Sequence, residues 1–151
     1  MDKNLLTNVG LLFLRGMISI LMLTHGISKV EMLLSGNAHL FPNPIGLGST
    51  LSLILVIGAE FFCSIAILIG FKSRLFALPL IFNMIVAAFI AHAGSSFEQK
   101  ELPVIYLVVY ISIALLGEGD FSLDNFIEKQ KEKINGKRNL KGVLTGNMNR
   151  T

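Results

Sequence analysis

Four polar side chains stand within stretches that are otherwise almost free of charge: Arg15, His25, Glu60 and His92. Near the centre of a bilayer a lone ion costs roughly 2.5–3.5 kcal/mol, so each such residue needs a partner or a task. Arg15 and Glu60 are of opposite sign and could form an ion pair. A buried carboxylate could also serve as an internal proton acceptor. His25 and His92 could donate hydrogen bonds, exchange a proton near neutral pH, or ligate a metal or haem iron. Asn83, Tyr106 and Tyr110 add hydrogen-bonding groups in the same apolar stretches.

The elements that must position these groups follow from composition. Of 151 residues 52% are hydrophobic and 15% charged, whereas a water-soluble domain carries about a quarter charged residues. Mean hydropathy is +0.66. Twelve of the 23 charges fall after Gly117, in the last 34 residues. No Asp, Glu, Lys or Arg occurs in 32–59, 75–97 or 102–117, and Arg15 alone interrupts 9–28. Since roughly 20 helical residues cross a hydrocarbon core of about 30 Å, the sequence predicts an all-α bundle of four transmembrane helices at about 9–28, 48–71, 75–97 and 102–117. The runs are continuously apolar, which excludes the alternation of a membrane barrel. The first span lacks a small-residue cleavage site, so it reads as a span and not a secretory signal.

Between the first two spans, residues 29–47 mix apolar side chains with Phe41-Pro42-Asn43-Pro44, whose prolines forbid a continuous helix. This loop is expected to cap the outer mouth of the bundle or to lie in the headgroup layer. After Gly117-Glu118-Gly119-Asp120, the spacing of Leu123, Ile127 and Ile134 against Lys129, Lys131 and Lys133 predicts a short basic amphipathic helix capped by Ser122 or Asp124. The division expected is a membrane domain over 1–124 and a basic tail over 125–151, disordered beyond Asn135. Ten basic residues on the side of the termini against two on the other place both termini in the cytoplasm of an inner-membrane protein. The net charge of +3 comes largely from the tail and accompanies no nucleic-acid-binding motif. Cys63 has no partner for an intramolecular disulfide. No nucleophile–base–oxyanion set and no Cys-x-x-Cys pair is present, which removes the usual hydrolases and thiol oxidoreductases.

Helix rise puts Arg15 about 10 Å and Glu60 about 16 Å in from the cytoplasmic side. The two are therefore expected to face inward and meet, either as a register-fixing staple or as part of a working site. His25 and His92 share a level about 25 Å in. A pocket there could take a quinone headgroup, whose two carbonyl oxygens accept protons on reduction, with His25, His92, Tyr106 and Asn83 binding and Glu60 accepting protons. Histidines that merely anchor at the interface are the plainer alternative. A haem or other metal site finds too few further ligands. Pro79 is expected to kink the third span, and Asn83 to hydrogen-bond across a helix contact. Gly10, Gly16, Ser19, Gly58 and Ser64 read as small packing residues.

In order along the chain come Arg15, His25-Gly26 with Lys29, Glu60, Gly70-Phe71-Lys72-Ser73-Arg74, Met84, His92 and Gly117-Glu118-Gly119-Asp120-Phe121-Ser122-Leu123-Asp124. This series resembles the DoxX family of small four-helix membrane proteins, over about Leu12 to Asp124. The resemblance marks Arg15, His25, Lys29, Glu60, Arg74, His92, Ser122 and Asp124 as family-type positions, without a proven catalytic step for any. It implies a small or accessory subunit in quinone-linked redox chemistry or a redox-stress response, with Glu60, Arg15, His25 and His92 as the residues to carry it. The family also holds members that act as scaffolds or chaperones for other membrane proteins, so a protein partner or a homo-oligomer is implied beside the lipid bilayer.

Overall fold

The computed structural model describes the backbone of residues 3–148 and the side chains of residues 4–135. Among the described residues there is no strand. Helix α1 spans Lys3–Leu34, α2 Ser49–Ile69, α3 Ser73–Ala91 and α4 Phe97–Leu116, all four long and apolar enough to cross a membrane. A 3-10 turn, Asn37–Leu40, follows α1, and α5 runs Leu123–Met148. The start of α1, the α2–α3 turn and the α4–α5 turn gather at one end of the bundle, here the terminal face; the other end is the loop face.

The hydrophobic pattern is that of a protein solvated by lipid. Side chains as large as Phe13, Phe62, Phe82, Phe89 and Leu115 point outward, and a water-soluble monomer does not expose apolar area so continuously. The core is thin: Met22 from α1, Cys63 and Ile67 from α2, Ala77, Leu80 and Met84 from α3, and Tyr106, Tyr110 and Ile113 from α4. Helix α2 is the most buried of the four. A second apolar cluster under the loop face joins Ala38, Leu53 and Ile57 to Val30, Leu33 and Phe41.

The helix limits depart from the sequence expectation in instructive places. The first helix does not stop at 28 but continues to Leu34, because Lys29 finds a partner inside the bundle and the first residue unsuited to a helix is Gly36, at φ 74°. The third ends at Ala91 and not at 97. The fourth begins at Phe97, not 102, so that it has 20 residues and full spanning length; Glu98, Lys100 and Glu101 lie on it instead of bounding it. Backbone of α5 is helical to Met148, past the point where the sequence suggested disorder. The tail cations Lys137, Arg138 and Lys141 lie outside the described side chains, and Arg150 outside the described residues. As for the loop, capping is the alternative realised: Phe41, Pro42, Pro44 and Ile45 cover a cavity at the loop face, and Asn43 Oδ1 pins them by accepting from Gly48 N at 2.9 Å and Ser52 Oγ at 3.4 Å.

Neither α2 nor α3 is a regular α-helix throughout. Each contains a π-helical segment, Gly58–Cys63 in α2 and Val86–Ala91 in α3. A π-turn takes in one residue more than an α-turn, and such insertions gather at functional sites. At about 100° per residue, the insertion also changes which side chains face inward beyond it. Periodicity in the sequence carried no sign of either segment.

Candidate functional site

Glu60 sits in the π-segment of α2 and is 4% exposed. Its Oε2 accepts from Lys29 Nζ of α1 at 2.6 Å, and its Oε1 accepts from Asn83 Nδ2 of α3 at 2.9 Å. Both carboxylate oxygens are therefore engaged, each from a different neighbouring helix. What allows α1 to come so close is Gly26. A Cβ there would lie 3.0 Å from the backbone N of Phe61 and 3.1 Å from the carbonyl carbon of Glu60. Lys29 is three residues on from Gly26, on the same face of α1. Gly26 thus sets the gap that Lys29 bridges, whereas Gly10, Gly16 and Gly58, expected as packing residues, have open space where a Cβ would go. Replacing Gly26 with alanine should lower stability by about 1–3 kcal/mol, because backbone atoms cannot move aside for the methyl group; a denaturant titration in detergent measures it.

The Lys29–Glu60–Asn83 unit forms the polar wall of a cavity of about 390 Å³. It is also lined by His92 and Ser52, by Pro42, Pro44 and Ile45 of the capping loop, and by Leu55, Val56, Phe82 and Val86. Both π-segments contribute lining, Ala59 and Glu60 from one, Val86, Ala87 and Ala91 from the other. Leu55 of α2 and Phe82 of α3 line the cavity and are exposed. Exposed side chains of both α2 and α3 thus stand at the cavity.

Arg15 and Glu60 both face inward, at 3% and 4% exposure, but they do not meet. The Arg15 guanidinium donates to the carbonyl oxygens of Glu118 at 2.5 Å and Phe121 at 2.7 Å, and the Glu118 carboxylate acts on it electrostatically. The expected pair fails for a reason of register. Gly26 lies against Glu60, and Arg15 against Gly70 at the terminal end of α2, where a Cβ would come within 2.7 Å of Arg15 Nη1. Arg15 and Glu60 are thus separated by about 15 Å of helix rise. Lys29 is the partner that the sequence placed in a loop. The signal for it was available: a buried carboxylate needs a nearby cation, and extending the first helix by one turn brings Lys29 into play.

Of the remaining groups, Asn83 makes an interhelical hydrogen bond, as expected of an amide in lipid. His92 lines the cavity; His25 and Tyr106 do not. His25 is exposed and packs edge-on against Tyr106, ring centroids 5.9 Å apart, and Tyr106 stacks on Tyr110 at 6.2 Å. Tyr106 and Tyr110 are within electrostatic reach of Glu60. Among the described residues no group of three or more His, Cys, Asp and Glu could hold a metal ion.

The terminal face is a latch. Residues 66–71 form a paired C-terminal cap, with Phe71 N donating to Ala66 O at 2.9 Å and Gly70 N to Ile67 O at 3.1 Å, around Gly70 at φ 74°. Asp124 Oδ2 accepts from Lys72 N at 2.7 Å, Asn8 and Asp120 are hydrogen-bonded, and Ser122 Oγ caps α5 by accepting from Asn125 N at 3.3 Å. These bonds tie the Gly117–Asp124 run to α1 and to the α2–α3 turn.

Against this geometry the family comparison is decisive. The DoxX family model matches residues 10–93, more than half of the chain. The chain belongs to the DoxX family. The match covers α1 to α3, and so Arg15, His25, Lys29, Glu60, Asn83 and His92, while α4 and the Gly117–Asp124 latch lie beyond it. No curated protein and no solved structure matches this DoxX chain. It is a small multi-pass membrane protein by its family and by its four spanning-length helices.

Proposed function

We propose that this DoxX protein binds the headgroup of a membrane quinone in the Lys29–Glu60–Asn83 cavity, as a small or accessory subunit in quinone-linked redox chemistry. The observation that carries the reading is the count of protons on the polar wall. Lysine has three N–H donors and asparagine two; each commits one to Glu60. The remaining donors stand at a cavity whose other lining, His92 and Ser52 apart, is apolar, the combination of few polar anchors and apolar lining usual for small-molecule sites of 300–1,000 Å³. Lys29 and Asn83 suit two acceptor oxygens, His92 can donate or accept at the same cavity, and the exposed Leu55 and Phe82 suit an apolar tail. When bound, a quinone supplies two-electron, two-proton chemistry, and the electrons exchange with a redox partner protein. Glu60 is the group that accepts or returns a proton, with Lys29 holding its charge. In this reading Arg15 belongs to the latch and His25 to an aromatic contact, outside the site. The charge bias of the loops supports both termini lying in the cytoplasm, at the inner membrane.

Equilibrium binding of a short-chain benzoquinone to the purified protein tests the proposal. Asn83→Leu should weaken binding at least tenfold while His25→Ala leaves it within twofold. Equal binding by wild type and Asn83→Leu, or a stoichiometric protein partner with no quinone binding, would favour the scaffold role instead.

A further inference from the structure

From Phe126 to Asn135 every side chain of α5 is exposed. Phe126 is 61% and Ile134 56% exposed, and Phe121, Leu123 and Ile127 are exposed as well. Elsewhere in the protein such side chains face lipid along the four spans. Here they follow the last span, on a helix whose first turn is tied to the ends of α2 and α3. Asp124 N donates to Gly70 O at 3.3 Å, and Asp124 Oδ2 accepts from Lys72 N at 2.7 Å. Gly70 and Lys72 lie between Ile69, the last residue of α2, and Ser73, the first of α3. Helix α5 therefore starts at the level where two spans end.

The order of residues around that helix is specific. At about 100° per residue, Leu123, Phe126, Ile127 and Ile134 fall within an arc of about 100°. Lys133 stands about 20° outside one edge of this stripe and Lys131 about 40° outside the other, with Lys129 further round on the Lys133 side. Glu128 and Glu132 lie about opposite the centre of the stripe. Lysines at both edges can run their apolar stems along the stripe and carry their ammonium groups to phosphates, while the carboxylates face water. Between 125 and 141 there are six Lys and Arg against two acidic residues. A second copy of α5 seated on the stripe would bring like-charged edges together, and a nucleic acid would leave the apolar stripe in water. An acidic protein groove would meet both requirements, but a bilayer already lies at the level from which α5 departs.

We infer that α5 docks along the bilayer surface at the terminal face, with Leu123, Phe126, Ile127 and Ile134 in the boundary between headgroups and acyl chains and Lys129, Lys131 and Lys133 on the phosphates of anionic lipids. Each basic side chain near an anionic surface favours residence there about fivefold, so three together favour docking about a hundredfold over a neutral surface. The latch bonds of Asp124 hold the start of the helix in place, so that only its rotation and tilt remain for the lipid to set. No residue of the Lys29–Glu60–Asn83 cavity takes part, and the inference does not depend on the quinone reading.

The protein contains no tryptophan, so Phe126→Trp supplies a single fluorescent reporter in the full-length chain, at an exposed position. In nanodiscs of phosphatidylcholine with about one third phosphatidylglycerol, its quenching by acrylamide should be about fivefold weaker than in pure phosphatidylcholine, and lipids brominated on the acyl chain should quench it instead. Replacing Lys129, Lys131 and Lys133 together by glutamine should return acrylamide quenching to the neutral-lipid value, whereas Glu128→Gln with Glu132→Gln should leave the shielding intact. Ile134→Trp repeats the measurement on the same stripe should the first reporter disturb the fold. Equal acrylamide access in the two lipids, or shielding that survives loss of the three lysines, would overturn the inference. So would shielding in lipid-free detergent that grows with protein concentration, which assigns the stripe to a second copy, or a stoichiometric protein whose removal exposes the tryptophan.

Discussion

Lys29→Met should be the most damaging single substitution in the bundle, lowering stability by about 3–5 kcal/mol, the usual cost of stripping a buried ion of its partner. Glu60 would keep one hydrogen bond, from Asn83 Nδ2, and lose the cation 2.6 Å from its other oxygen. The converse change should be milder. In Glu60→Gln the amide retains the polar contact with Asn83, and Lys29, whose side chain is 23% exposed, can swing its ammonium toward the headgroup region along its flexible stem. That asymmetry places the cost on the carboxylate and not on the pair. Combining Lys29→Met with Glu60→Leu should recover much of the loss, since an apolar pair leaves no orphan charge. Unfolding in denaturing detergent, monitored by helical circular dichroism, reads all three.

Arg15→Ala should cost about 3 kcal/mol by a different route. Two charge-assisted hydrogen bonds, to Glu118 O and Phe121 O, disappear, each worth about 1.5–3 kcal/mol, and both carbonyls lose the donor that satisfied them. Lysine would not restore the clamp, because one ammonium cannot reproduce the planar fork that reaches two carbonyls at once. The damage should be local. Hydrogen exchange ought to rise in Gly117–Asp124 and the first turns of α5, while Glu60, Lys29 and Asn83 keep their contacts. Loss of protection spread evenly over α2 and α3 would show instead that Arg15 supports the cavity.

How much of this was legible beforehand depends on the physical scale of each signal. Four spans follow from apolar runs about 20 residues long, a signal that local detail cannot erase. That Arg15 and Glu60 face inward follows from the cost of an ion in lipid. Which charge meets which could not be read from depth counted along isolated helices. It depends on register, and register here is fixed by two close approaches, Gly26 on Glu60 and Phe61 and Gly70 on Arg15. A charge at the edge of an apolar run, such as Lys29, looks like a boundary; in the fold it is an ion whose partner lies one helix away. The π-segments left no trace at all, since a single inserted residue does not disturb a run that is apolar on every side. The interhelical hydrogen bond of Asn83 follows from the cost of an unpaired amide in lipid, and His92 lines the cavity. His25 shares the level of His92, but depth does not say which side of α1 faces the cavity, and His25 does not line it.

The latch shows the reverse case. Gly117–Asp124 stood out in the sequence as a specific run, and its residues are busy with structural bonds at the terminal face. Conspicuous spacing there accompanies a tight turn whose carbonyls satisfy a buried guanidinium.

Glu60 has Lys29, and not Arg15, as its counter-ion, and a pair of double-mutant cycles measures that directly. Stabilities of the single and double variants at Lys29 and Glu60 should yield a coupling of about 2–3 kcal/mol, and those at Arg15 and Glu60 should add to within about 0.5 kcal/mol, as expected of groups without shared partners. Strong coupling in the Arg15 cycle with additivity in the Lys29 cycle would contradict it.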